Sequence, residues 1–156
     1  MVKYRLLTNE ELSSMKKEFI DYLVINGITA DEWKKILETD VEKAKKITHL
    51  FSDVVFEKIL RKVDFVIQQN PKSILAFNCQ PEVIEMVGLI AEGDIDIDFT
   101  DPNCISKLIE NPVAGLETVY SKKEYGKPRE LEIFELTQRG GMISDGKVFQ
   151  TLKSIV

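Results

Sequence analysis

Three aspartates in the stretch AEGDIDIDFTDP, residues 91–102, have the clearest potential for chemistry in this sequence. Asp94, Asp96 and Asp98 alternate with three apolar residues, Ile95, Ile97 and Phe99. Carboxylates two residues apart on a strand share one face, where they can hold a divalent metal ion for phosphoryl transfer. The opposing interpretation is an amphipathic strand, with its apolar side chains inward and its acidic side chains in solvent. We favour the amphipathic strand.

The spacing excludes an EF-hand calcium loop, which requires glycine at its sixth position and glutamate at its twelfth. Those positions hold Phe99 and Ile105. The segment GDIDIDF, residues 93–99, instead resembles the metal-binding strand of nucleotidyltransferases, and this resemblance implies metal ligands at Asp94 and Asp96. The sequence departs from that family upstream, because residues 85–90 read EMVGLI where the family has a phosphate-holding Gly-Ser turn. A metal-dependent phosphoryl or nucleotidyl transferase is therefore our alternative hypothesis.

A second motif, GMISDGKV at residues 141–148, matches the first seven positions of a phosphate-binding P-loop. The eighth position of a P-loop is a serine or threonine whose hydroxyl binds magnesium, and here it is Val148. We predict instead a glycine turn and a helix that Ser144 or Asp145 caps.

Two candidates for acid-base chemistry lie on a predicted helix. Asp53 and Glu57 are four residues apart, as paired carboxylates on one helix face would be. Glu57 is also correctly spaced to pair with Arg61, so we predict a solvent-facing polar strip. That strip comprises Asp53, Glu57, Arg61, Asp64 and Gln68. His49, the only histidine, lies off the apolar arc of its helix, and no nucleophile can be assigned to it.

The overall composition narrows the classes of function. The formal net charge of −5 opposes binding to a phosphate backbone, so we expect no nucleic-acid partner. No apolar run approaches the ~20 residues of a membrane span, and the first residues lack the apolar core of a secretory signal. Cys79 and Cys104 lack the close cysteine or histidine neighbours of a zinc site, so we predict buried thiols. We expect a cytoplasmic protein.

Capping signals divide the N-terminal part of the chain into helices. Thr8 and Glu11 form a predicted capping box for a first helix, which Asn26-Gly27 ends. Thr29 and Glu32 repeat the device for a second helix, and the two are expected to form a hairpin. Thr39 and Glu42 offer a third box for a long helix over residues 40–69 that Asn70-Pro71 terminates. Its apolar arc shifts by roughly a third of a turn along its length, so we expect it to bridge two parts of the protein.

After Pro71 the pattern changes to short apolar runs. Residues 73–79 and 83–91 predict a β-hairpin joined by Gln80-Pro81-Glu82. Helix is the competing prediction for residues 83–91, and its Gly88 and branched side chains favour a strand. Residues 94–99 and 116–121 supply two more predicted strands.

The remaining elements are helices. Asp101-Pro102 predicts a short helix that ends near Asn111-Pro112. Residues 128–139 and about 145–154 predict two closing helices on either side of Gly140-Gly141. We therefore predict a single α+β domain over residues 1–156, with an N-terminal helical hairpin, a long bridging helix, a small mainly antiparallel sheet and two C-terminal helices.

Three segments of the chain resemble an uncharacterised bacterial family, a domain of unknown function seen in the Bacteroidetes. They are EFIDYLVINGITADEWKK at 18–35, FSDVVFEKIL at 51–60 and ELEIFELTQRGGMISDGKVFQTL at 130–152. Many members carry tryptophan where this chain has Phe56, a difference that affects packing rather than chemistry. The resemblance implies a small cytosolic protein and assigns no catalytic residues.

The sequence contains no complete catalytic constellation, so we predict no catalytic, cofactor-binding or metal-binding residues outside the alternative hypothesis of Asp94 and Asp96. The leading hypothesis is a non-enzymatic binding or adaptor module that acts through protein-protein contacts, either with a protein partner or as a homo-oligomer. We expect neither nucleic acid nor membrane among its partners. A small-ligand carrier stays open, because a sheet packed on helices can leave a pocket.

Overall fold

The computed structural model of the protein describes residues 3–156, which form two compact units. The first unit ends at Ile59 and the second is Leu60–Val156. Helices make up the first unit, whereas the second combines a sheet with helices. The predicted α+β class is confirmed.

Four helices form the first unit: α1 (Asn9–Ser14), α2 (Lys16–Ile25), α3 (Ala30–Thr39) and α4 (Val41–Arg61), whose last two residues belong to the second unit. The capping box at Thr8 is confirmed, because the Thr8 hydroxyl accepts the Glu11 amide and the Glu11 carboxylate accepts the Thr8 amide. At α3 the structure has one bond of the predicted capping box, in which the Thr29 hydroxyl accepts the Glu32 amide. Aromatic rings fill the space between these helices, with Phe19 edge-on to both Trp33 and Phe51.

Two details of these helices differ from the predictions. The first predicted helix is interrupted at Met15, after Ser14 turns its hydroxyl back to the Glu11 carbonyl. The predicted capping box of Thr39 and Glu42 is wrong. Thr39 donates its hydroxyl to the Lys35 carbonyl, and Asp40 accepts the Lys43 amide in its place.

The prediction that the long helix continues to residue 69 is also wrong. It ends at Arg61, and residues 65–70 form strand β1 (Phe65–Asn70). Pro71 and Lys72 make the tight connection to strand β2 (Ser73–Cys79), with Asn70 opposite Ser73. Asn70-Pro71 does end an element, as predicted, but that element is a strand, and the residues form a hairpin turn.

The sheet is antiparallel and has five strands in the order β4-β3-β2-β1-β5. Its remaining strands are β3 (Val83–Ala91), β4 (Leu116–Glu124) and β5 (Met142–Ser144). The predicted hairpin of β2 and β3 is confirmed, which settles residues 83–91 as a strand. Strands β1 and β5 lie outside the predicted strands, which began at residue 73 and ended at residue 121.

One face of the sheet carries the main core of the second unit. Helices α5 (Cys104–Glu110) and α7 (Lys147–Ile155) supply apolar side chains to it. Phe149 and Leu152 of α7 are fully buried with Ile74 and Val87 of the sheet. The predicted burial of both thiols is confirmed, and Cys104 belongs to this core.

The segment that carries the three aspartates is not a strand, so that part of the prediction is wrong. Residues 92–101 have no regular secondary structure. Their carbonyls are bound by side chains instead of a neighbouring strand: the Lys72 amine donates to Ile95 and Ile97, and the Gln69 amide donates to Phe99. The apolar members still point inward, with Phe99 fully buried.

The other face of the sheet is covered in part by helix α6 (Arg129–Gln138), which contacts β1. Leu136 of α6 and Val66 of β1 approach Gly141 so closely that a Cβ there would lie 2.7 Å from the Leu136 carbonyl oxygen. No helix within the described residues is long and apolar enough to cross a membrane.

Candidate functional site

The structure places Asp94, Asp96 and Asp98 on the surface of the second unit. The Asp98 carboxylate accepts the Thr100 amide at 2.9 Å and the Thr100 hydroxyl at 2.5 Å. These two bonds lower the pKa of Asp98, because they favour its charged form. Asp98 thus stabilises the local turn of its own segment.

Among residues 3–156, no group of three or more histidine, cysteine or acidic side chains is arranged to hold a metal ion. Asp96 and Asp98 border an open hollow of about 450 Å³ beside α5, whose lining also includes Asp101 and Lys107. Asp101 and Lys107 pair with each other at 2.9 Å. The transferase hypothesis therefore rests on Asp94 and Asp96 alone and stays a prediction.

Asp53 and Glu57 bind the N-terminal segment of the first unit, so the predicted solvent-facing strip is wrong. One carboxylate oxygen of Asp53 accepts the amides of Lys3 at 2.9 Å and Tyr4 at 3.2 Å. Glu57 accepts the Lys3 amine at 3.2 Å and the Tyr4 hydroxyl. The strip also ends early, because Asp64 and Gln68 lie beyond the end of α4. These carboxylates have a structural role.

The P-loop-like segment folds as β5, a two-residue turn and α7. Only Asp145 and Gly146 separate the strand from the helix, which is too short a loop to enclose a phosphate. The Phe65 ring packs against Gly146, and a Cβ on that glycine would lie 2.7 Å from Cε2 of the ring. Ser144 and Asp145 accept the amides of Gly146 and Lys147, but the prediction that one of them caps the helix is wrong, because the N-cap of α7 is Gly146.

A buried carboxylate that the sequence motifs did not point to is Glu85, the third residue of β3. The Glu85 side chain is only 4% exposed and accepts bonds from the Tyr120 hydroxyl at 2.5 Å and the Lys153 amine at 3.1 Å. The Tyr120 bond, followed by the Lys153 bond, holds the pKa of Glu85 below its ordinary value, although burial opposes that shift. This cluster links α7 to β3 and β4.

Arg129 also has a structural role, at the start of α6. Its guanidinium donates to four carbonyl oxygens, those of Leu60, Val63, Cys79 and Gln80. Five donors in a rigid plane suit such a set of acceptors. Cys79 lies beside it, and burial raises the pKa of the Cys79 thiol to about 11. A thiol with that pKa is a poor nucleophile at neutral pH.

The most site-like feature of the second unit is a groove of about 390 Å³ on the sheet face that α6 partly covers. Strands β2 and β3 are apolar on both faces, and only one of those faces is closed by α5 and α7. On the other face, Leu75, Phe77 and Met86 are half-buried and form the floor of the groove. We call this feature the sheet groove.

The wall of the sheet groove is polar and carries both signs of charge. Lys123 of β4 lies on one side, and Glu132 and Glu135 of α6 lie on the other, with Arg139 directly after that helix. Lys127 pairs with Glu135 at 2.6 Å and lowers the pKa of that carboxyl. An apolar floor with a charged wall matches the anatomy of protein interfaces, which have an apolar centre and a polar rim.

The sequence contained a signal for this groove. Residues 83–91 (VIEMVGLIA) lack the apolar-polar alternation of a half-exposed strand, which indicates that both faces need cover. Glu85 is the only charged residue in that run, a second signal that it is buried with partners. The partners could not be predicted, because Tyr120 and Lys153 lie 35 and 68 residues away.

The first unit exposes apolar side chains on helices α2 and α4. Ile20 and Val24 lie one turn apart on α2, and Leu50 and Val54 lie one turn apart on α4. All four are about half exposed. They flank Phe19 and Tyr22 of α2 and the buried Phe51 of α4, so each apolar arc extends beyond the part that the unit covers.

Fold and groove together define an α+β protein with an antiparallel sheet that has one closed and one partly open face. The chain belongs to DUF6495, a family of unknown function, whose match covers residues 1–156. No curated protein and no solved structure matches the chain.

Proposed function

We propose that the protein is a binding or adaptor module without catalytic activity of its own, and that it acts by docking a protein partner in the sheet groove. The observation that carries the proposal is the half-buried apolar floor of Leu75, Phe77 and Met86 within a charged wall. Core strands normally bury such side chains, so a partner that covers them gains hydrophobic free energy.

The chemistry of the groove defines the partner. Its floor accepts apolar side chains, and its wall offers both an ammonium and carboxylates, so we expect an amphipathic protein segment with polar flanks. We favour a protein over a small molecule because the groove is open along the sheet. A small-ligand carrier remains the competing outcome, since the volume is within the range of ligand pockets.

We place the protein in the bacterial cytoplasm. Its two cysteines are buried free thiols, as expected for a reducing compartment.

The proposal is tested with a matched pair of substitutions. Met86→Gln replaces a floor side chain by a polar one of similar length, and Met142→Gln makes the same change at a half-exposed position of β5 outside the groove. Both proteins are immobilised and exposed to native lysate, after thermal unfolding has shown that both are folded. We expect a partner that binds the wild-type protein and Met142→Gln but is lost with Met86→Gln.

Two results would contradict the proposal. Identical sets of captured proteins for both variants would place the contact elsewhere. A small molecule that copurifies with the wild-type protein in native mass spectrometry, and that Met86→Gln releases, would identify the groove as a ligand site.

A further inference from the structure

Strand β4 is an edge of the sheet whose outer side has no strand partner among the described residues. It pairs along its whole length with β3, and the sheet order places nothing beyond it. Seven of its nine side chains are exposed, all except Leu116 and Val119. An open edge of this length presents a row of unpaired amides and carbonyls to any strand that can align with it.

The sequence of β4, LETVYSKKE, is complementary to itself when two copies run antiparallel. With Tyr120 at the centre, Glu117 of each copy lies opposite Lys123 of the other, so the contact contains two opposite-charge pairs related by the two-fold axis. All nine residues of the strand are then paired. Opposite charges directly across an antiparallel ladder stabilise it, and like charges destabilise it.

Both charges are available for this contact. Glu117 lies opposite Ile90 and Lys123 lies opposite Ile84 within the sheet, and both side chains are exposed. Neither forms an ion pair with any residue that the structure describes. A shift of the alignment by two residues, which keeps the same faces together, leaves no opposite-charge pair in either direction, so the charges also select the register.

The opposite edge of the sheet is a weaker candidate. Strand β5 has three residues, and none of them is charged. A strand so short offers few ladder hydrogen bonds, and it has no charge pattern to fix a register.

We propose that two copies of this chain associate through β4, in the alignment centred on Tyr120, and so form one continuous antiparallel sheet. Residues directly opposite in an antiparallel pair lie on the same face. The face that carries Ser121 and Lys123 is therefore continuous across the two copies, and both sheet grooves open on the same side. The dimer presents two docking sites together, which would raise its avidity for a partner with two binding segments.

Charge reversal tests the alignment. Glu117→Lys places two lysines opposite each other at both symmetric positions, and Lys123→Glu does the same with glutamates. We expect each variant to weaken self-association on the order of tenfold or more in sedimentation equilibrium, because two attractive pairs become two repulsive ones. Glu92→Lys, an equal charge change at an exposed residue outside β4, should leave self-association unchanged.

Two further experiments restore the opposite-charge pairs and so make the test specific to this alignment. The double variant Glu117→Lys/Lys123→Glu recovers both opposite-charge pairs and should dimerise like the wild-type protein. An equimolar mixture of the two single variants should form a heterodimer, because every charge then meets its opposite across the two chains. High salt should weaken the wild-type dimer.

A wild-type protein that stays monomeric at concentrations of about 100 micromolar would overturn the proposal, since weaker association lies outside the range of specific dimers. A dimer that is insensitive to both single reversals would place the interface elsewhere. Met86→Gln leaves β4 intact, so loss of partner binding without loss of the dimer, or the reverse, separates this proposal from the proposed function.

Discussion

Glu85 of β3 accepts bonds from Tyr120 of β4 and Lys153 of α7 and so connects three elements. A carboxylate that leaves water loses several kcal/mol of hydration, and it stays charged in a folded protein only with close partners. Tyr120 and Lys153 supply those partners, and Lys122 across the strand pair adds a favourable charge. Their attraction outweighs burial, because the pKa of Glu85 is lowered rather than raised.

The lowered pKa makes part of the stability depend on pH. A depressed carboxyl pKa stabilises the folded state above its ordinary value of 4.5, and this contribution is lost as the pH falls towards the folded-state pKa. We expect Glu85→Gln to lower the free energy of unfolding by about 1–3 kcal/mol at pH 7. Urea unfolding at pH 7 and pH 3 should show a smaller difference between variant and wild type at pH 3. An equal difference at both values would show that Glu85 does not stabilise the fold by its charge.

The aspartates at 94 and 96 test the competing enzymatic hypothesis. Both are exposed, and we expect neither to bind a cation specifically. Calorimetric titration with magnesium or manganese, with and without nucleotide, should show no saturable binding up to millimolar concentration. Asp94→Asn/Asp96→Asn should change the free energy of unfolding by no more than about 0.5 kcal/mol, as is usual for surface residues. Saturable binding that the double substitution abolishes would establish the metal site.

At the scale of elements, sequence patterns predicted two helix caps and one hairpin whose hydrogen bonds join residues close in sequence. The caps at Thr8 and Thr29 and the hairpin of β2 and β3 depend on residues close in sequence, and all were predicted correctly. Strand β1 was missed because its apolar residues also continue the helical period of α4. Its strand conformation depends on pairing with β2 and on the distant β5, which no local pattern contains.

The strand prediction for the aspartate segment was wrong for the opposite reason. Its alternation is ideal for a strand, but the Lys72 and Gln69 side chains bind its carbonyls in place of a neighbouring strand. Alternation therefore predicted the burial of Phe99 and the exposure of the acids correctly, although it gave the wrong secondary structure. Of the candidate site, the apolar run of β3 was visible in sequence, but the incomplete cover by α6 was not.

The N-terminal segment should depend on α4 for its order. Asp53 accepts the Lys3 and Tyr4 amides, and the Ser52 hydroxyl accepts the Leu7 amide. We expect Asp53→Ala to destabilise the protein by about 1–2 kcal/mol and to speed hydrogen exchange at Tyr4 and Leu7. Lys58→Ala, on the same helix, is the control. Unchanged exchange at Tyr4 would show that Asp53 does not hold the segment.

At the scale of the whole molecule, helix α4 is continuous across the boundary between the two units. We propose that the chain unfolds as one domain, as the sequence predicts, and not as two independent units. Differential scanning calorimetry should show one transition with equal calorimetric and van't Hoff enthalpies. Two separate transitions would mean that the units are independent.

The proposed binding function requires that another protein occupies the sheet groove in the cell. The most direct measurement places a photo-crosslinking amino acid at Arg139, an exposed side chain on the groove wall, and separately at Lys147, an exposed side chain outside the groove. After irradiation in the native host, we predict a discrete protein adduct from position 139 that Met86→Gln abolishes and Met142→Gln retains, with none from position 147. Equal labelling from both positions, or an adduct at 139 that survives Met86→Gln, would contradict the account.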